Sequence, residues 1–223
     1  MPSRWRGLIV VALAAVGAGP AVAGPPTDQL RGHVEQILRI LEDPALRQEA
    51  RERERRAAVR RIAEEIFDFG EISRRSLGRH WQERSPAERQ EFTQLFSDLL
   101  ERSYVSKIEG YSGERITFAS EALDGELATV RTRIVSKQGV ETPVDYRVFQ
   151  QGPRWRAYDV SIEGVSLVAN YRSQFNSIIQ RQSYAGLVKA LRSKQDESAG
   201  RPERRARPGA APGGSTPRPR QSP

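Results

Sequence analysis

Few side chains in this chain are suited to chemistry. It has no cysteine and two histidines, His33 and His80. Without thiols there is no zinc–thiolate site, no iron–sulfur cluster and no cysteine nucleophile. The two histidines lie far apart in sequence, and neither has a second histidine at metal-ligand spacing. No Gly-x-Ser-x-Gly elbow and no Walker or Rossmann glycine pattern occurs. Counting alone leaves a Ser-His-Asp arrangement open. Two charge constellations remain, Asp145 with Arg147 and Arg156 with Asp159. Carboxylates do acid–base work when a pocket shifts their pKa, and these alternate with apolar neighbours, as on a solvated or paired sheet face. No catalytic residue, metal or cofactor is expected.

Apolar and aromatic surface at regular spacing is far more plentiful. On predicted helices, Leu77, Trp81, Phe96, Leu100, Tyr104 and Phe175 face inward; on predicted strands, Val130, Ile134, Val144, Tyr146 and Val148 do the same. Facing each other, they would line an apolar cavity for a lipid. Pockets and cores use the same residue types, so each has a plain alternative as core. Trp155 and Tyr158 are assigned to structure, where their bulk anchors the last long strand.

The elements that must position these residues follow from periodicity. Leu30, Val34, Ile37, Leu38 and Leu41 predict a helix over 28–43, with Asp28 as its cap. Asp43-Pro44 ends it, and a second helix, rich in Arg and Glu, is expected over 45–66. A short helix is expected over 69–77, stopped by Gly78. Ser85-Pro86-Ala87-Glu88 reads as a capping box opening a helix that runs to about Glu109. From Arg115 the period falls to two. Segments 115–122, 126–137, 140–150 and 154–163 read as strands, the last three divided by Gly139 and Gly152-Pro153. A last helix starts near Ser166 and breaks near Ser183. The expected fold is α+β, a small antiparallel four-stranded sheet with helices packed on one face enclosing an apolar cavity.

The ends differ in kind. Arg4 and Arg6 precede an uncharged apolar stretch that finishes at Ala21-Val22-Ala23, the pattern of a secretory signal peptide over 1–23. That core is short for a bilayer span of about 20 residues, and Gly19 and Pro20 interrupt it. The chain is therefore expected to be exported as a soluble protein. Residues 195–223, rich in Pro, Gly and Arg, read as a disordered tail. The formal net charge is +8, yet residues 24–194 hold 28 basic and 25 acidic side chains. Most of the basic excess lies in the two ends, so no nucleic-acid partner is expected.

A set of short motifs recurs in order. It runs Phe67-Asp68-Phe69, Leu77-Gly78 with Trp81, Val144-Asp145-Tyr146-Arg147, Trp155-Arg156-Ala157-Tyr158-Asp159-Val160, Ile162-Glu163-Gly164-Val165-Ser166-Leu167 and Asn170-Tyr171-Arg172-Ser173-Gln174-Phe175. In this order the chain resembles the periplasmic phospholipid-binding family of the Mla pathway, also called the toluene-tolerance family, over about residues 28–194. The resemblance implies a periplasmic carrier that shuttles phospholipid between the outer membrane and an inner-membrane ABC transporter complex. Its partners would be an outer-membrane lipoprotein/porin complex and that transporter. The tails would sit in the cavity, with Arg172 touching the headgroup or a partner, or instead pairing with Glu163. Three alternatives stand beside this: a hopanoid-type carrier of the same family, a periplasmic adaptor gripping a partner helix, and a cavity enzyme.

Overall fold

A computed structural model describes residues 24–199, with α1 at Pro25–Glu42, α2 at Glu52–Ile66, α3 at Phe69–Leu77, α4 at Pro86–Glu109 and α5 at Leu167–Ala199. Between α4 and α5 come β1 (Arg115–Asp124), β2 (Leu127–Val135), β3 (Glu141–Gln151), β4 (Arg154–Ile162) and β5 (Val165–Ser166). The strands form one antiparallel sheet in sequence order. The expected signal peptide and most of the expected tail lie outside the described residues. Within them, α5 continues to Ala199, five residues beyond the expected boundary at 194.

The sheet has five strands, not four. The fifth is only two residues long. Val165 and Ser166 turn back through Gly164 (φ 80) and pair with Ile162 and Ser161. Two residues have no period, which is why the alternation test passes over them. The second helix also differs, since α2 begins at Glu52 and not at 45. Asp43 holds the intervening turn. Its carboxylate accepts from Ala45 N–H at 2.8 Å and its carbonyl from Leu46 and Arg47 N–H. With these groups satisfied locally, the first helical turn is not needed there.

Elsewhere the caps act as their residue types dictate. Ser85 Oγ accepts from Glu88 N–H, and Glu88 Oε2 accepts from Ser85 N–H at 2.8 Å, the reciprocal capping box. Asp68 caps α3 by accepting from Glu71 N–H, and Gly78 ends it at φ 59. Ser183 carries a φ of 68 inside α5, a kink at the expected break.

Helices α1 and α2 lie on one sheet face. Leu30, Val34, Ile62 and Ile66 pack there against Ala128, Val130, Val148, Trp155 and Ala157. Helices α3, α4 and α5 form a second apolar cluster among themselves, around Phe92, Phe96 and Phe175. This trio meets the sheet chiefly at β4, where Phe67 also forms a parallel bridge to Ala157.

Candidate functional site

The inward faces read from the sequence are the inward faces of the fold. Ala128, Val130, Thr132, Val144 and Val148 are buried, while Arg131, Arg133 and Arg147 are exposed on the opposite face. The expected lining residues, however, separate into two groups. Leu77, Phe96, Leu100 and Phe175 are buried in the helical cluster, with Trp81 and Tyr104 packed on it. Val130 and Val148 are buried in the sheet cluster, with Tyr146 packed on its margin. Val144 is buried and Ile134 partly buried, and neither belongs to a cluster. Phe67 packs against both groups and marks their join.

Within the helical group the contacts are those of a solid core. Phe96 and Phe175 meet edge to face with centroids 5.0 Å apart, and Phe92 and Tyr171 complete the stack. Phe92 and Phe96 have no exposed surface. Tyr146 differs. Its phenol packs against the inner sheet face, and burial pushes its pKa up to about 12. Its hydroxyl makes no hydrogen bond among the described residues, on a mainly apolar face that also carries Thr132 and Glu121.

Among the described residues, two surface grooves stand out. One of about 340 Å³ lies between α1 and α2, over Ile40, Leu46 and Ile62. Another of about 530 Å³ lies between α4 and the end of α5 and is lined mostly by Gln, Glu, Asp and Arg. Neither separates the sheet cluster from the helical one.

The charged constellations are braces. Asp159, 4 % exposed, takes Arg147 at 3.2 Å, Ser166 Oγ at 2.6 Å and Val168 N–H at 3.0 Å. It ties the start of α5 to the sheet. Arg156 donates to the carbonyls of Glu64 and Phe67 and so holds the end of α2 against β4. Arg172 Nε donates to the carbonyl of Arg75 at 2.8 Å, which joins α5 to the last turn of α3 and leaves Glu163 unpaired with it. His80 Nε2 lies 3.0 Å from Asn176 Oδ1, and His33 lies 3.4 Å from Glu65. Among the described residues no group of three His, Asp or Glu is placed to hold a metal ion, and no helix is long and apolar enough to cross a membrane.

Sequence reasoning missed Asp159 as a cap, because its partners Ser166 and Val168 lie across a turn. The only available signal was a short polar residue just ahead of the Ser166 helix start. It also missed Glu121, on the inner face of β1, whose carboxylate accepts from Thr27 N–H at 2.8 Å.

Residues 31–193 match the family described as MlaC protein. The chain belongs to the MlaC family. Among relatives of this MlaC-family chain is the toluene tolerance protein ttg2D of Pseudomonas putida. It is 26% identical over 178 residues, covering 79% of this chain and 82% of that one. A solved phospholipid-binding protein from Ralstonia solanacearum, in complex with a phospholipid, matches with a TM-score of 0.67 and 25% identity. The match covers 78% of this chain and 98% of that structure. The fold is therefore that of the MlaC family, and the motifs read along 67–175 fall within the matched span.

Proposed function

We propose that this chain is a periplasmic phospholipid carrier, with the acyl tails held between the sheet cluster and the helical cluster. The observation that carries this reading is the division of the interior into two apolar clusters that join at Phe67. A single-core domain of this size packs one contiguous interior. Two separable apolar faces give a ligand a place to part them. The solved relative in complex with a phospholipid supports the class of ligand. The signal-peptide pattern over 1–23 supports export.

In this reading Tyr146 supplies the polar contact for an ester or phosphate oxygen, and Val130, Ile134, Val144 and Val148 line the strand side. Leu77, Trp81, Leu100 and Tyr104 line the helix side, with Phe96 and Phe175 as the stack behind them. Arg172 braces α3 through the Arg75 carbonyl and directs its exposed end toward a headgroup or a docking protein. The donor and acceptor are an outer-membrane complex and an inner-membrane ABC transporter complex. Chemistry within the pocket is not proposed, since its walls are mainly apolar and their other polar groups, Thr132 and Glu121, are engaged by backbone groups.

The deciding experiment is mass spectrometry of the organic extract of the purified mature protein. A stoichiometric glycerophospholipid is expected. Hopanoid in its place would reassign the ligand, and repeated absence of any lipid would sink the carrier reading.

A further inference from the structure

Besides Leu30, Val34 and the Gln29–Trp155 hydrogen bonds, helix α1 meets the sheet through one carboxylate. Glu121 stands on β1 opposite Val130, which is fully buried. Its Oε2 accepts from Thr27 N–H in the first turn of α1. Its Oε1 lies over the Cα of Gly24, so that any side chain at residue 24 would collide with it. The backbone N–H groups of that turn are accounted for, while Thr27 Oγ1 is buried without a hydrogen-bond partner among the described residues. Pro25 and Pro26 have no N–H, and Asp28 N–H donates to the Gly24 carbonyl at 3.0 Å. Among the described residues no Lys, Arg or His pairs with Glu121. A partly buried carboxylate without a paired cation thus sits against the Cα of Gly24, the atom that carries the Gly24 nitrogen.

We propose that Glu121 is the receptor for the α-ammonium group created when residues 1–23 are removed. This rests on the signal-peptide reading made above. Hydrolysis of the Ala23–Gly24 amide consumes one water. The C–N bond breaks, Ala23 leaves as a carboxylate, and the Gly24 nitrogen ends as an ammonium. Before cleavage that nitrogen is a neutral amide; afterwards it carries a positive charge beside Glu121. An ammonium at a helix N-terminus is unfavourable alone, because the helix dipole already places positive charge there. The carboxylate offsets both charges at once. Processing therefore locks α1, and with it Leu30 and Val34, onto the inner sheet face. Glycine at residue 24 is required for the approach.

The sign of the pH dependence follows. The carboxylate raises the pKa of the folded ammonium above that of the unfolded α-amino group, about 7.7–8.0. The added stability is complete below that value and is lost as pH rises through the folded pKa. Charged groups on the elements at this contact include Asp28, Arg31 and His33 on α1, Arg115 and Asp124 on β1, and Arg133 and Arg131 on β2, the last donating from Nη1 to Ser120.

The test begins with the intact mass and N-terminal sequence of the exported protein, expected to start at Gly24. Thermal melts then compare the chain starting at Gly24 with one that retains Ala23, each with Glu121 and with Glu121→Gln. The amide keeps an acceptor for Thr27 N–H, so the variant retains its fold. Glu121→Gln is expected to lower the Tm of the Gly24 chain by several degrees at pH 7, to do less than half of that when Ala23 is retained, and to lose the difference by pH 10. Acetylating the Gly24 amine should reproduce the Ala23 result. Equal losses in both backgrounds, or a difference that ignores pH, overturns the inference and leaves the carrier reading standing. Cleavage at another bond overturns both the inference and the assigned signal boundary.

Discussion

At the scale of single residues, two polar groups on apolar ground have opposite characters. Asp159 is buried and fully engaged by a guanidinium, a hydroxyl and a backbone N–H. Removing one partner of such a set strands the others, at a cost of roughly 3 kcal/mol. Asp159→Ala is expected to lower unfolding free energy by about that amount in urea melts. Asp159→Asn, which keeps acceptor and donor capacity in the same shape, should cost less than half as much. Tyr146 is partly buried, and its hydroxyl makes no hydrogen bond among the described residues. Deleting a polar atom that makes no hydrogen bond on a largely apolar face costs little. Tyr146→Phe should therefore leave the lipid-free protein about as stable as before, while reducing lipid retained through purification. A loss of stability without loss of lipid would contradict the role given to the hydroxyl. Burial also delays its ionisation. In an alkaline titration read by phenolate absorbance, Tyr146 and Tyr184, both pushed to about 12, should ionise well above the usual phenol value of 10.0.

At the scale of elements, stability is concentrated in short local devices. Replacing Ser85 by Ala breaks one half of the α4 capping box and should cost about 1 kcal/mol in the same melts. Glu71 on α3 receives hydrogen bonds from Arg74 and from Arg75, each at 2.6 Å. The Arg74 bond above all, then Arg75, holds its carboxyl below the usual value of 4.5. A depressed carboxylate pKa stabilises the fold above about 4.5 and loses that contribution as pH falls further. Melts between pH 7 and 3 should show a shallower acid decline for Glu71→Gln than for the parent chain. These same devices made the elements legible. Gly78, the Ser85–Glu88 box and the strand alternation around Val130 and Val144 act within a few residues, so their sequence spacing carries the geometry. The late start of α2 and the two-residue β5 were illegible for the converse reason. Each is decided by a hydrogen bond made in competition with helix or by pairing across a turn, and neither leaves a period in the sequence. The site was legible only as faces. Spacing identified Phe96 and Val130 as inward, but which of two clusters each joins depends on how α3–α5 dock at β4.

At the scale of the whole molecule, the carrier reading turns on a balance of solvents. Two acyl chains with roughly thirty methylenes gain about 24 kcal/mol on leaving water. Nearly all of that gain is already present in a bilayer, so the interior competes with a membrane and not with water. Parting the clusters at Phe67 exposes apolar surface that the lipid then covers. Closed-empty and open-filled states are thus expected to lie close in free energy when the donor is a bilayer, and spontaneous exchange with vesicles should be slow. A partner that shields the tails during passage removes that barrier. Rapid transfer between vesicles by this protein alone, unchanged by membrane partners, would refute the argument. Against an aqueous reference the balance is different, because the ligand binds only the folded chain. At a free lipid concentration one hundred times Kd the stabilisation is about 2.7 kcal/mol. For a domain of this size that corresponds to a rise in Tm of roughly 5–10 °C between stripped and loaded protein. Val130→Glu, which places a charge on the sheet side of the join, should abolish the rise if the tails lie there. A full rise in a folded Val130→Glu variant would place the lipid elsewhere, with the polar α4–α5 groove the next site to examine.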